Sequence, residues 1–215
     1  MTDWNQLKTS TISQCLLNSG RSTFDLPPEH LKHLNHREAA VLMPLLRYQE
    51  AWHILMIRRT ASERDYHSGQ VAFPGGKWEV ADGSLTNTAL REAQEEIGLN
   101  PEVVQVLGQL PSHYSISAYR ITPIVGVIPW PYELVLAPDE VARAFTMPLA
   151  WLADPLNHEM RPKKMPSGHT VPVAYFDYYD NELLWGATAR MVLSFVEHLQ
   201  QRCDLFQSTS KSTLK

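Results

Sequence analysis

Three glutamates lie close together in residues 91–96 (REAQEE) of this chain. If this stretch is helical, Glu92 and Glu96 are four residues apart and share one face, which Glu95 flanks. Like charges at this spacing destabilise an isolated helix by a few tenths of a kcal/mol each, and a bound cation would offset that cost. Carboxylate oxygens are the ligands that Mg²⁺ prefers, with water and substrate phosphate completing its shell. A solvated acidic helix face needs no metal, and these residues alone leave that alternative open.

A glycine pair precedes the glutamates, in Phe73-Pro74-Gly75-Gly76. Paired glycines allow a backbone to approach a ligand closely and expose its amides and carbonyls. Two further acids, Glu79 and Asp82, follow in the connecting segment. Together with Arg91 and the three glutamates, this arrangement could surround a metal ion that is bound to phosphate.

The acidic stretch falls within the clearest helix of the chain, which we predict over residues 84–97. Ser84 is suited to cap its N-terminus and Gly98 to end it. Apolar residues recur every four positions and predict a buried stripe, which consists of Leu85, Ala89, Ala93 and Ile97.

The rest of the chain predicts a mixed α/β or α+β domain with several strands around this helix. Residues 39–48 and 51–59 are expected to pair as a hairpin, and residues 69–76 to form one short strand ending in the glycine turn. Further strands are predicted at 102–110, 119–128, 171–179 and 182–185, and further helices at 3–19 and 186–201. We expect a short helix or turn-rich crossover at 139–153, a loop at 154–170 and a disordered tail at 204–215.

Composition excludes several classes of protein. With 215 residues, 44% of them hydrophobic and a net charge of -4, the chain suits one globular domain and is too acidic to bind nucleic acid through its overall charge. No stretch approaches the ~18 apolar residues of a membrane span, and the N-terminus does not resemble a secretory signal. We therefore expect a cytoplasmic protein in which both cysteines, Cys15 and Cys203, are free thiols.

Residues 76–99 resemble the Nudix box, in which a glycine and a glutamate precede the pattern Arg-Glu-apolar-x-Glu-Glu-x-Gly-apolar. The first half departs from the family, since Asp82 stands in place of the glutamate and the following spacer is one residue longer. The second half matches at Arg91, Glu92, Ala93, Glu95, Glu96, Gly98 and Leu99. The resemblance implies an α/β/α sandwich with a mixed sheet. We divide the chain into a helical extension at 1–36, a Nudix hydrolase domain at 37–201 and a tail at 202–215.

The upstream residues resemble the coenzyme A diphosphatase branch of that family. Its signature is matched by Leu55 to Thr60, Arg64, Gly69 and the segment 73–76. Ile57 stands in place of a threonine, Thr60 in place of a serine, and four residues instead of three separate Arg64 from Gly69. The resemblance implies metal-dependent hydrolysis of CoA or acyl-CoA to 3′,5′-ADP and 4′-phosphopantetheine. Another nucleoside diphosphate derivative (ADP-ribose, a dinucleotide or an oxidised nucleoside triphosphate) is the alternative, and a non-catalytic Nudix-like binding module is a third.

The resemblance also implies roles for particular residues. Glu92, Glu95, Glu96 and the Gly76 carbonyl would bind Mg²⁺ or Mn²⁺. We expect Glu95 to be the general base, with Glu140 as the rival, and Arg91 to hold the carboxylates in place. Arg59 and Arg64 would contact the phosphates of a CoA-like nucleotide. A homodimer is a further possibility that the family suggests, whereas nucleic-acid and membrane partners are not expected.

Overall fold

The computed structural model describes residues 4–17, 28–61, 69–164, 168 and 170–202. Arg64, Cys203 and the tail predicted to be disordered lie outside the described residues. Four helices are present in these ranges: α1 (Thr9–Leu17), α2 (Leu85–Ile97), α3 (Leu149–Leu152) and α4 (Gly186–Arg202). Their eleven strands are β1 (Arg37–Tyr48), β2 (Ala51–Arg59), β3 (Val71–Ala72), β4 (Gly75–Lys77), β5 (Gln105–Gln109), β6 (His113–Tyr114), β7 (Tyr119–Val127), β8 (Val141–Pro148), β9 (His158–Lys164), β10 (Thr170–Tyr179) and β11 (Glu182–Trp185).

The main sheet is built around β1 and β2, which form the predicted hairpin. The turn residues Gln49 and Glu50 both have positive φ, 48° and 62°, as a two-residue turn requires to match the twist of its strands. The sheet has eight strands in the order β3-β2-β1-β7-β5, with β4 on β1, β6 on β7 and β8 on β2. It is mixed, because β1 and β7 run parallel while the other pairs are antiparallel.

Helices cover both faces of this sheet, which confirms the predicted α/β/α sandwich. On one face, Ala89, Ala93 and Ile97 of α2 are buried against the main sheet. On the other face, α1, α4 and a second sheet of three strands (β11-β10-β9) enclose a larger apolar core. Within the described ranges, none of the helices combines the length and the hydropathy that a membrane-spanning helix requires.

Three predicted segments differ in the structure. Of the segment 139–153, predicted as a short helix or turn-rich crossover, residues 149–152 form the short helix α3, but residues 141–148 form strand β8 because they pair with β2 from His53 to Arg59. Residues 158–164 form edge strand β9 rather than a loop; its side chains are largely exposed, so it lacks the apolar alternation that marks a strand in the sequence. The single strand predicted at 69–76 is divided into β3 and β4 by Phe73 and Pro74.

The prediction of free thiols is wrong for Cys15, which is disulfide-bonded in the structure. The sequence contains only one other cysteine, Cys203. Separation along the chain gave no indication of a bond; in the fold, the helix that carries Cys15, α1, packs against α4.

Candidate active site

Helix α2 presents its acidic face to the sheet because both of its ends are fixed as predicted. Ser84 Oγ accepts a hydrogen bond from the Asn87 amide at 3.1 Å, and Gly98 ends the helix with a φ of 67°. With the apolar stripe of α2 against the sheet, Glu92 and Glu96 lie beside β4 and the end of β2. The helix thus carries both carboxylates to the glycine pair at the start of β4.

Glu96 is the most deeply buried of the site carboxylates, with 1% of its surface exposed. Its Oε2 accepts a hydrogen bond from the Gly75 amide at 2.9 Å, and its Oε1 lies 3.5 Å from Nη1 of Arg59. Burial raises the pKa of Glu96 to about 7, against the opposing effects of the Gly75 hydrogen bond and the Arg59 charge, and the negative charges of Glu140 and Glu92 raise it further. A cation bound here would favour the ionised form.

Glu92 lies directly over Gly76. A Cβ atom at position 76 would be 2.5 Å from Cδ of Glu92, so only glycine leaves room for this carboxyl group. Burial is also the largest cause of the raised pKa of Glu92; the Arg91 guanidinium lowers it, while Glu95 and Glu140 raise it. The glycine pair, predicted as a turn, lies in strand β4 and positions both carboxylates: Gly75 through its amide, which binds Glu96, and Gly76 through its lack of a side chain, which leaves room for Glu92.

Arg91 joins the carboxylates to the preceding loop. Its Nε lies 2.8 Å from Oδ1 of the buried Asp82, and its Nη1 lies 2.9 Å from Glu92 Oε1 and 3.0 Å from Glu95 Oε2. The hydrogen bond from Arg91 holds the pKa of Asp82 well below its usual range, and Asp82 in turn raises the pKa of Arg91. Asp82 also accepts hydrogen bonds from the Glu79 amide and the Thr88 hydroxyl. Asp82, which stands in place of the glutamate in the first half of the Nudix box, thus forms an ion pair with Arg91.

Glu140 reaches the same region from the start of β8. The pairing of β2 with β8 shifts between Arg58–Arg143 and Arg59–Val141, which leaves Ala142 as an extra residue in a β-bulge. Such a bulge redirects the side chains that precede it. The Glu140 carbonyl accepts a hydrogen bond from the Thr60 amide at 2.9 Å, and its carboxylate is close enough to raise the pKa of both Glu92 and Glu96.

The structure therefore brings together Glu92, Glu96, Gly76, Arg59 and Glu140, five of the residues singled out in the sequence. Glu95 lies at the rim: its side chain is 56% exposed, and its carboxylate is paired with Arg91. Arg64 lies outside the described residues, so its position relative to these carboxylates stays a prediction.

The chemistry of this donor set fits a divalent cation. No group of three or more His, Cys, Asp or Glu side chains in the described ranges is arranged to hold a metal ion. Mg²⁺, however, is commonly bound through only one or two carboxylates, with waters and substrate phosphates as its other ligands. Glu92 and Glu96 are two such carboxylates, both with a raised pKa, beside the backbone of Gly75 and Gly76.

Sequence reasoning missed two features of the site. It assigned no role to the Gly75 amide, which binds Glu96, and it placed Asp82 near a metal rather than on Arg91. The nine-residue spacing between Asp82 and Arg91 could have indicated their contact. The loop that carries Asp82 leads into the capped helix α2 and lies beside its second turn, which contains Arg91. The bulge at Ala142 has no signal in a single sequence.

Comparison with known proteins agrees with this geometry. Residues 36–168 match the NUDIX domain. The chain is 41% identical over 160 residues to the Nudix hydrolase NudL of Cronobacter sakazakii, covering 74% of this chain and 81% of that protein. It is 40% identical over 175 residues to NudL of Photorhabdus laumondii, covering 81% and 90%.

Among solved structures, a MutT/nudix family protein from Enterococcus faecalis superposes with a TM-score of 0.52 at 14% identity. The match covers 86% of this chain and 70% of that one, and it supports the fold. Nudix enzymes are pyrophosphohydrolases of nucleoside diphosphate derivatives and generally need divalent metal ions. The domain match and the identity to the NudL proteins show that this chain belongs to the Nudix hydrolase family.

Proposed function

We propose that this enzyme hydrolyses the diphosphate bond of coenzyme A or acyl-CoA, with Mg²⁺ or Mn²⁺, to 3′,5′-ADP and 4′-phosphopantetheine or its acyl form. The observation that carries this proposal is the position of Arg59. This arginine belongs to the segment that resembles the CoA branch, and it lies 3.5 Å from Glu96 in the carboxylate site. This contact supports the proposal, because it puts the segment beside a carboxylate that would hold the metal ion.

Two of the three departures from the branch signature keep the local structure, and the third, the longer spacing between Arg64 and Gly69, lies outside the described residues. Ile57 is fully buried among the apolar residues between the sheet and α2, so the side chain at this position serves the core. Thr60 donates its hydroxyl hydrogen bond to the Pro138 carbonyl at 2.9 Å, which a serine at this position could also do. Both substitutions keep the local structure that holds Arg59 and Glu140 in place.

The residues of the site have different roles in the proposed hydrolysis. Glu92 and Glu96 would hold the divalent ion, which, when bound, offsets the negative charge of the diphosphate. Arg59 lies beside Glu96 and can orient a phosphate through its planar guanidinium group. Arg91 holds Glu92 in place through its own contact with Asp82.

A carboxylate must also accept the proton of the attacking water as the new phosphorus–oxygen bond forms and the bridging bond breaks. Glu95 and Glu140 are the two candidates. Both side chains are exposed, but Glu95 is paired with Arg91 at 3.0 Å, whereas the charge of Glu140 raises the pKa of both Glu92 and Glu96. We therefore propose Glu140 as the base and assign Glu95 a role in holding Arg91.

Product analysis tests the proposed substrate. The enzyme is given CoA, ADP-ribose, NADH and an oxidised dGTP separately, with Mg²⁺ or Mn²⁺, and products are separated chromatographically. We expect 3′,5′-ADP from CoA at a rate well above the other cleavages. Faster cleavage of another compound would refute the CoA assignment, and no cleavage at all would favour a binding module. The Glu96→Gln variant, checked for folding by circular dichroism, is the inactive control.

A further inference from the structure

Glu182 is a buried carboxylate that lies outside the carboxylate site. It begins β11 in the second sheet, and 3% of its surface is exposed. Its Oε1 accepts a hydrogen bond from Arg143 Nη1 at 3.0 Å and lies 3.4 Å from Arg58 Nη1. A buried charge is costly unless it is paired, and these two guanidinium groups supply the pairing. Through them, the second sheet is joined to β2 and β8 of the main sheet.

The two arginines form the last regular pair of β2 and β8. Arg58 lies directly opposite Arg143, and the register shifts immediately beyond them, before the pair Arg59–Val141. Like charges directly opposite each other on neighbouring strands are destabilising. Glu182 offsets this repulsion, since one of its oxygens lies within 3.4 Å of both guanidinium groups. The carboxylate therefore holds β2 and β8 together at the edge of the bulge.

The bulge decides which face of the sheet the start of β8 presents to each side. Phe145 is buried in the core on the side of the second sheet, and Arg143, two residues earlier, reaches Glu182 on the same side. Continued alternation would turn Val141 the same way, but Val141 is buried in the cluster that packs against α2. The extra residue Ala142 thus reverses the alternation just after the arginine pair.

The residues beyond the bulge belong to the proposed catalytic machinery. Arg59 turns to the face opposite that of its neighbour on β2 and lies 3.5 Å from Glu96, which holds it from the side of α2. The Thr60 amide donates to the Glu140 carbonyl at 2.9 Å, so the backbone of Glu140 follows the end of β2. If the ends of β2 and β8 separated, the displacement would fall mainly on Glu140.

We propose that Glu182 is a positioning residue for the hydrolysis. By neutralising the facing pair Arg58 and Arg143, it holds the bulge in the shape that directs Glu140 towards the carboxylate site. The proposal rests on the proposed function, and in particular on Glu140 as the base. It does not depend on which diphosphate derivative is cleaved.

Amide hydrogen exchange, followed by NMR, tests this role without relying on activity. In Glu182→Gln, we expect the Thr60 amide to exchange at least tenfold faster than in the wild type, while the amides of α2 keep their rates. An unchanged rate at Thr60 would overturn the proposal. If Glu182→Gln does not fold, Arg58→Gln breaks the same link at its β2 end, at a side chain that is 43% exposed, and should show the same change.

Steady-state kinetics tests the consequence for catalysis. Glu182→Gln should lower kcat for CoA at least tenfold, with a smaller change in KM. In the Glu140→Gln background, the same substitution should lower kcat less than threefold further, because a residue that acts through Glu140 has little effect once that carboxylate is gone. A residue that only stabilises the fold would multiply the two losses.

Asp180→Asn is the matched control. It removes the other carboxylate that contacts Arg143, but the Asp180 side chain is 53% exposed, and asparagine tolerates the φ of 50° at this position. This variant should change neither kcat nor the Thr60 exchange rate by more than threefold. An effect equal to that of Glu182→Gln would overturn the assignment to Glu182.

The remaining outcomes separate this proposal from the proposed function. Multiplied losses, or an unchanged kcat in Glu182→Gln or in Glu140→Gln, would overturn the positioning role and leave CoA hydrolysis standing. If another diphosphate derivative is cleaved instead of CoA, the CoA assignment fails, and the same ratios are measured with that compound. If no compound is cleaved, the proposed function fails, and the Thr60 exchange rate alone decides whether Glu182 holds the bulge.

Discussion

Replacing Gly76 with alanine adds one methyl group at the point where the backbone meets the Glu92 carboxyl. The added Cβ would find Glu92 Cδ at 2.5 Å, whereas ordinary contact begins near 3.4 Å, so the carboxyl group must move by about 0.9 Å. Gly76 is not among the residues with positive φ, so alanine can adopt its backbone conformation without strain. The perturbation therefore falls on the position of one carboxylate.

The expected effect is large on activity and small on stability. A misplacement of about 1 Å in a catalytic arrangement can cost roughly 100-fold in rate, which corresponds to about 3 kcal/mol of activation free energy. The atom displaced is at the end of a flexible side chain, so the free energy of unfolding should change by less than about 1 kcal/mol. Steady-state hydrolysis of CoA at several Mg²⁺ concentrations, together with urea unfolding, measures both quantities.

Gly75→Ala is the matched control. Its Cβ would lie 2.5 Å from the Ala40 carbonyl oxygen and from the Val41 Cα, and these backbone atoms cannot rotate away. That variant should lose about 1–3 kcal/mol of stability, as overpacked sites do. If Gly76→Ala keeps more than a third of the wild-type kcat/KM while folding normally, the assignment of Glu92 to the metal site is wrong.

Three further predictions concern the charged groups. Because burial raises the pKa of Glu96 from 4.5 to about 7, the metal-free folded protein binds this proton more tightly than the unfolded chain does; its stability should fall by up to about 3 kcal/mol as the pH rises through that window, and thermal unfolding of Glu96→Gln should lack this loss. Asp82→Asn should lower the free energy of unfolding by about 2–4 kcal/mol at pH 7. Arg91 depresses the pKa of Asp82 in the folded protein, so this difference between variant and wild type should fade at acid pH, where the wild-type carboxylate becomes protonated. Denaturant unfolding of both proteins at pH 7 and at acid pH measures the difference. Glu140→Gln should reduce kcat at least tenfold more than Glu95→Gln, and a larger loss in Glu95→Gln would instead identify Glu95 as the base.

The features that the sequence predicted well are local ones. Helix α2 was predicted within one residue because its stripe, its N-cap Ser84 and its terminal Gly98 are all encoded within a few positions of one another. The shared face of Glu92 and Glu96 follows from helix geometry alone. The hairpin of β1 and β2 was predicted for the same reason, since two apolar strands flank a two-residue turn.

The features that the sequence did not predict depend on which segments pack together in the fold. Strand β8 is recognised only by its pairing with β2, and β9 has too few apolar residues to be distinguished from a loop because it lies at an edge of the second sheet. The disulfide bond of Cys15 is not encoded in any short pattern around that residue. The spacing of residues in a short segment predicts its secondary structure, whereas these differences depend on the contacts between segments that are distant in sequence.

The candidate site itself shows why both kinds of information are needed. Glu96 contacts the Gly75 amide, which is 21 residues away in sequence, and Arg59, which is 37 residues away. Glu140 adds a third distant segment, and its approach depends on the bulge at Ala142. The helix supplies carboxylates whose pKa values are raised by burial, and the strands supply the amide, the guanidinium group and the further carboxylate around them. A substitution that straightens the bulge without touching α2 should therefore impair catalysis while leaving Glu92 and Glu96 in place.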